Sequence, residues 1–277
     1  MILTTPMSNV INFKQKIIEK KQNSSALEGK KLFSDHTKVV SITSGKGGVG
    51  KTNIVANLGI SFSKMGKKVL IFDADLGLGN LDILLGLAPR YNLSQVISGE
   101  KAFKDILIEA PGGMSILPAS SGIHEFTQLT ENQQIRIIHE LNTILKEFDI
   151  LLIDTAAGIS SDVMYFNTIA EEIIVVVSPE PTSITDAYAL MKVLSIKYAA
   201  THFKLLINQS RDMNEAKGVF MQLRLVTDRF INVSLEYLGY IDFDSNITTS
   251  VKNQKAIIEM FPNSAASKCF SKIVKNI

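Results

Sequence analysis

A single cysteine, Cys269, in 277 residues leaves no partner for an internal disulfide and no cysteine set for a metal or iron–sulfur centre within one chain. That usage fits a reducing compartment. The opening Met1-Ile2-Leu3-Thr4-Thr5-Pro6 lacks the basic-then-apolar order of a signal peptide. The longest apolar runs, such as Ile173-Ile174-Val175-Val176-Val177, are strand-sized and far short of a membrane span. The expected location is therefore cytoplasmic. Neither sign of charge dominates, with 29 Lys and Arg against 27 Asp and Glu, which argues against a nucleic-acid binder and leaves room only for local basic patches. There is no internal repeat and no linker between two cores.

What is present is a globular composition, 45% apolar and 20% charged, arranged in alternating patterns. Residues 1–37 stand apart as a basic arm, with Lys14, Lys16, Lys20, Lys21, Lys30 and Lys31 in a polar stretch. Within it, Ile11, Phe13, Ile17 and Ile18 form one short amphipathic face, so the arm reads as mobile or partner-docking. From Lys38 to the end, residues 38–277 read as one domain in which short β-branched runs alternate with helical stretches. Strands are expected at 39–43, 68–72, 114–117, 150–153, 173–177, 203–207 and 236–240. Helices are expected at 51–64, 131–147, 160–171, 183–199 and 214–230, the first stopped by Gly66. Continuous apolar strands are buried on both faces, which happens when helices cover both sides of a parallel sheet. The expected fold class is α/β: a doubly wound, mostly parallel sheet.

One motif dominates. Gly45-Lys46-Gly47-Gly48-Val49-Gly50-Lys51-Thr52 fits G-x-x-x-x-G-K-[ST] and sits between a buried strand and a helix, as a P-loop must. Glycines let backbone N–H groups close around a phosphate, and the following helix adds the positive end of its dipole. Lys51 is placed to neutralise β/γ-phosphate oxygens and Thr52 to ligate Mg²⁺; Asn53 extends the nucleotide cradle by one residue. The expected cofactors are ATP and Mg²⁺. Lys46 adds a second fixed cation, which suits a nucleotide held by a partner subunit better than the chain's own.

Carboxylates end the neighbouring strands. Asp73-Ala74-Asp75 closes the second strand with both acids on one side, so one can hold the metal's water shell while the other orients an attacking water. Asp154 follows four apolar residues, Ile150–Ile153, in the Walker B arrangement of an acid aimed at Mg²⁺. Asn208 ends another strand and offers both a donor and an acceptor to an adenine edge.

Lys46-Gly47-Gly48-Val49-Gly50-Lys51-Thr52 resembles the deviant Walker A motif of the MinD/ParA ATPases, and the similarity runs from about Lys38 to the C-terminus. The resemblance implies an ATP-sandwich homodimer in which Lys46 crosses to the neighbour. It also implies that Asp75 positions the lytic water, that Asp73 lies near Mg²⁺ and that Thr155-Ala156-Ala157-Gly158 acts as switch II. Asn208 would contact adenine, and Asp242 and Phe243 would lie in a loop closing over the base. The catalytic set is then Lys46, Lys51 and Asp75, and the metal set Thr52, Asp73 and Asp154.

Several segments are similar to the FlhG (FleN or YlxH) branch, regulators of flagellar number and placement. These are Asn53 after Thr52, Asp73–Leu87, Pro179–Leu190 and Phe261-Pro262-Asn263-Ser264-Ala265-Ala266. The implied partners are flagellar: an FlhF-like GTPase or a transcription activator. Asn9-Val10-Ile11-Asn12-Phe13-Lys14 does not match the element that stimulates FlhF, which puts that one activity in doubt. Phe270, Ile273, Val274 and Ile277 share a helical face suited to weak peripheral contact with the inner face of the cell membrane, or to packing on the core. The alternatives on the same motif are a ParA-type DNA-partitioning or a MinD-type cell-division ATPase.

Overall fold

A computed structural model describes residues 32–33, 36–119 and 128–277. Most of the expected basic arm, including its lysines, lies outside the described residues. Its last part belongs to the body: Phe33 is buried, and the Thr37 hydroxyl donates to the carbonyls of Leu145 and Phe148 at 2.6 and 2.8 Å.

Eight strands form one sheet: β1 Lys38–Ser44, β2 Val69–Ala74, β3 Ile108–Ala110, β4 Met114–Leu117, β5 Ile150–Ala157, β6 Glu172–Val177, β7 His202–Ser210 and β8 Ser234–Asp242. Their spatial order is β3-β4-β2-β5-β1-β6-β7-β8. All neighbours are parallel except β3, which runs antiparallel to β4. The expected strands are all present, within a few residues at their ends. β3 is the addition, too short at three residues for a period-2 signal to register.

The helices are α1 Lys51–Lys64, α2 Leu81–Leu84, α3 Leu93–Ser98, α4 Phe103–Ile106, α5 Glu131–Ile144, α6 Ser161–Ile169, α7 Pro181–Tyr198, α8 Met213–Phe230, α9 Ser245–Lys252, α10 Ile257–Met260 and α11 Ala265–Ile273. They cover both faces, and strand alternation separates the cores. Val40, Ile42, Ile71 and Leu152 face α1 and the C-terminal helices, while Leu70, Phe72, Leu151 and Ile153 face α5 and α6. A third cluster, Val175, Leu205 and Ile207 with Leu190 and Leu223, lies under α7 and α8. That double covering is why the strands read as unbroken apolar runs.

α11 resolves the choice left open at the C-terminus. Phe270, Ile273 and Val274 are all under 5% exposed and pack in the same core as α1. The apolar face suited to lipid is thus buried inside this structure. Among the described residues no helix is long and apolar enough to cross a membrane.

Candidate functional site

β1 stands at the centre of the sheet, flanked by β5 and β6, and the chain leaves its carboxyl end as the glycine turn that opens α1. This is the crevice where open α/β sheets bind ligands. Gly48 (φ +78°) and Gly50 (φ +90°) are left-handed, a conformation glycine adopts without strain. Gly45 is required for space: a Cβ there would lie 2.1 Å from the Asp186 carbonyl oxygen at α7. α1 starts with no side-chain cap and no acid in its first turn, which leaves its N-terminal N–H groups and dipole for an anion.

Around this turn lies a cavity of about 740 Å³, lined by Gly47, Gly48, Gly50, Lys51, Thr52, Asn53 and Asp75 together with apolar and small residues. The structure thus brings together the core of the expected set. Lys51 is buried, its Nζ donating to Ser44 Oγ at 2.9 Å. Burial lowers its pKa, and the charges of Asp154 and Asp75 oppose that shift.

Asp154 is 1% exposed, and both of its carboxylate oxygens lack a hydrogen-bond partner. Burial raises its pKa to about 7, with Thr52 and Lys51 pulling down and Asp75 pushing up. An orphaned buried carboxylate beside a threonine hydroxyl fits a hard divalent cation, which takes such oxygen donors together with water and phosphate. Asp73 is different. Its Oδ1 accepts from Asp75 N and its Oδ2 from Leu81 N, both at 3.2 Å. Each oxygen accepts one N–H of the loop after β2, so Asp73 shapes that loop while each oxygen keeps a further lone pair. Burial and Asp154 hold its pKa well above the usual carboxylate range. Asp75, held by the Leu78 N–H at 3.1 Å, is the acid that reaches the cavity.

Two other expected residues make contacts within the chain. Asn208, expected at adenine, is 5% exposed and donates Nδ2 to the Val49 carbonyl at 2.7 Å, while its Oδ1 is buried without a hydrogen-bond partner. It braces the cradle from below. Asp242, expected over the base, accepts from Cys269 Sγ at 3.4 Å and lines a different groove. Phe243, expected in the same loop, is 69% exposed, with its N–H on the Ser210 carbonyl at the tip of β7.

Lys46 sits at the rim, where its ammonium pairs with Glu180 and lies 3.0 Å from Thr182 Oγ1 of the same chain. Glu180 and Thr182 belong to the Pro179–Leu190 segment, whose contact with Lys46 was not legible in the sequence. Also missed were Ser44, which holds Lys51, and the apolar walls Leu78, Ile83 and Val251, exposed at 75%, 55% and 39%. The signal for Ser44 was its place as the last residue of β1, one before the motif.

A family profile described as an AAA domain matches residues 37–207. The chain belongs to the MinD/ParA family of P-loop ATPases that this fold and site define. Among relatives, the Antiactivator FleN of Pseudomonas aeruginosa is 42% identical over 90% of this chain and 89% of its own length. The flagellum site-determining protein YlxH of Helicobacter pylori is 32% identical over 89% and 85%. Of solved structures, the septum site-determining protein MinD of Pyrococcus horikoshii, complexed with Mg-ADP, is 26% identical with TM-score 0.71, covering 86% of this chain and 95% of that one. The likeness to FleN and YlxH places the chain with the flagellar branch of the family.

Proposed function

We propose that this chain is an ATP-driven dimerisation switch with slow Mg²⁺-dependent hydrolysis, which sets flagellar number or placement through partner proteins. The observation that supports it best is the orphaned Asp154 carboxylate beneath a glycine cradle that also holds Lys51, Thr52 and Asp75. Backbone N–H groups at Gly47–Lys51 bind phosphate oxygens and Lys51 neutralises them. Thr52 and Asp154 would hold Mg²⁺, which would supply neutralisation of the phosphates' negative charge. Asp73 fixes the Asp75–Leu81 loop, and Asp75 orients a water toward the γ-phosphate. Asn53, in the cavity wall, contacts the phosphates beside Thr52, and Phe243 offers its face to the base.

Pairing follows from the rim. Leu78, Ile83 and Val251 are apolar and exposed around the cavity mouth, a surface that a second copy over the bound nucleotide would cover. Lys46 crosses to that copy once it leaves Glu180, an exposed pair worth about 0–1 kcal/mol. The flagellar part of this reading rests on the likeness to FleN and YlxH. It is tested by counting flagella in the host after deletion of the gene and return of wild type or Lys51→Ala. Wild type should restore normal number or placement and Lys51→Ala should not. A deletion with unaltered flagella would refute the flagellar role.

A further inference from the structure

β8 is the last strand of the sheet. It pairs with β7 on one side, and among the described residues no strand pairs with its other side. A free edge nine residues long is a template for another strand unless something blunts it. Here the edge contains no proline and lies at the bottom of a trough of about 550 Å³. Tyr237, Leu238, Gly239 and Tyr240 all line this trough. A register irregularity at Leu238 interrupts the alternation of the strand, and the trough is walled by α8 from one face of the sheet and α11 from the other, so it runs along the strand's edge. Gly239, at φ +144°, pairs with Leu206 just after a register irregularity, and Ile273 of α11 lies beside it on one face.

The walls give the trough its chemistry. Met213 of α8 stands on one side, and Lys268 and Lys272 of α11 on the other. Both lysines are exposed, and neither takes part in an ion pair among the described residues. The lining carries these two lysines against one carboxylate, Asp242, which accepts from the Cys269 thiol, so positive charge is in excess. They lie one helical turn apart, about 6 Å along α11. Alternate residues of an extended strand are about 6.6 Å apart on one face. The spacings match.

We propose that this trough binds an extended peptide of a partner protein, added as a strand to the edge of β8, with acidic side chains at alternate positions meeting Lys268 and Lys272. Backbone hydrogen bonds supply affinity and the two lysines supply selectivity, the division of labour in strand addition. A second copy is the poorer occupant, because a two-fold pairing of β8 with itself sets the lysines beside their own counterparts. The lysine-rich stretch at 14–31 is disfavoured by the same repulsion.

The test uses the full chain and a fluorescein-labelled nine-residue peptide with Glu at alternate positions and Val or Thr between. Anisotropy should show binding that weakens in 0.5 M salt and falls about tenfold or more for Lys268→Glu/Lys272→Glu. That variant should keep wild-type Tm and nucleotide affinity, and it should gain affinity for the peptide with Lys in place of Glu. N-methylation of alternate peptide amides should abolish binding, and hydrogen-exchange protection should concentrate at 237–242. Absence of binding at millimolar peptide would overturn the proposal, as would binding indifferent to charge reversal or to N-methylation. Two further outcomes would also overturn it: self-association that the double variant alters, or binding to phosphatidylglycerol vesicles that the variant loses while the peptide never binds.

Discussion

Asp73 and Asp154 are partners in the β2–β5 ladder, side by side at the carboxyl end of the sheet and both at most 2% exposed. Burial raises the pKa of both, the Asp154 charge raising that of Asp73 further while Lys51 opposes the shift at Asp154. Asp73 is satisfied by two backbone N–H groups of its loop, and Asp154 is left with two unpartnered oxygens.

This pair gives the nucleotide-free protein a pH dependence. Burial raises the Asp154 pKa from 3.8 to about 7, so between those values the folded chain binds more protons than the unfolded one. Stability then falls as pH rises from about 4 to about 7. Tm measured without nucleotide should drop across that window. The drop should shrink in Asp154→Asn and in wild type with Mg²⁺ and ATP. An identical slope in Asp154→Asn would assign the effect elsewhere.

The cradle depends on one contact from beneath. A Cβ at Gly50 would lie 2.6 Å from Asn208 Nδ2, and Gly50 has φ +90°. Gly50→Ala should therefore abolish nucleotide binding through both a clash and backbone strain. Asn208→Ala removes the donor to the buried Val49 carbonyl and should cost about 1–3 kcal/mol in stability or nucleotide affinity. Calorimetry with a slowly hydrolysed ATP analogue and a thermal melt separate the two; no change in either would remove Asn208 from the site.

Lys46 and Glu180 should respond differently to truncation. Their pair is partly exposed, so Glu180→Ala should leave Tm within about 1 °C while altering the ATP dependence of dimerisation. Lys46→Ala should lose ATP-dependent pairing and retain most nucleotide affinity. Unimpaired dimerisation of Lys46→Ala, read by light scattering, would rule out a crossing lysine.

The C-terminal helix is a structural element here. Phe270 is 1% exposed in the core shared with α1, so Phe270→Ala should destabilise by about 3–5 kcal/mol. Urea denaturation checks this; a cost under 1 kcal/mol would mean that α11 is not packed as described.

The sheet was legible because its strands are long apolar runs, and a strand buried on both faces has that signature whatever its neighbours. The P-loop was legible because Gly48 and Gly50 answer to a backbone requirement that only glycine meets freely. The segment from Leu81 to Ile106 was not: α2, α3 and α4 are four to six residues long, too short for a 3.6 period. Asn92 with Gln95, a reciprocal capping pair at the start of α3, was the readable mark there. Asn208 and Asp242 were placed at the correct edge of the sheet, but their contacts within the chain were not legible, because these depend on Val49 and Cys269, 159 and 27 residues away. The cis contact of Lys46 depends on Glu180, 134 residues away, and no local pattern encodes it.

The most direct measurement is molar mass by light scattering, with ADP and with ATP and Mg²⁺, for wild type and Asp75→Ala. The account predicts a monomer with ADP for both, a transient dimer for wild type with ATP, and a lasting dimer for Asp75→Ala, whose nucleotide is bound but not hydrolysed. A monomer under every condition, with ATP shown to be bound, would contradict it.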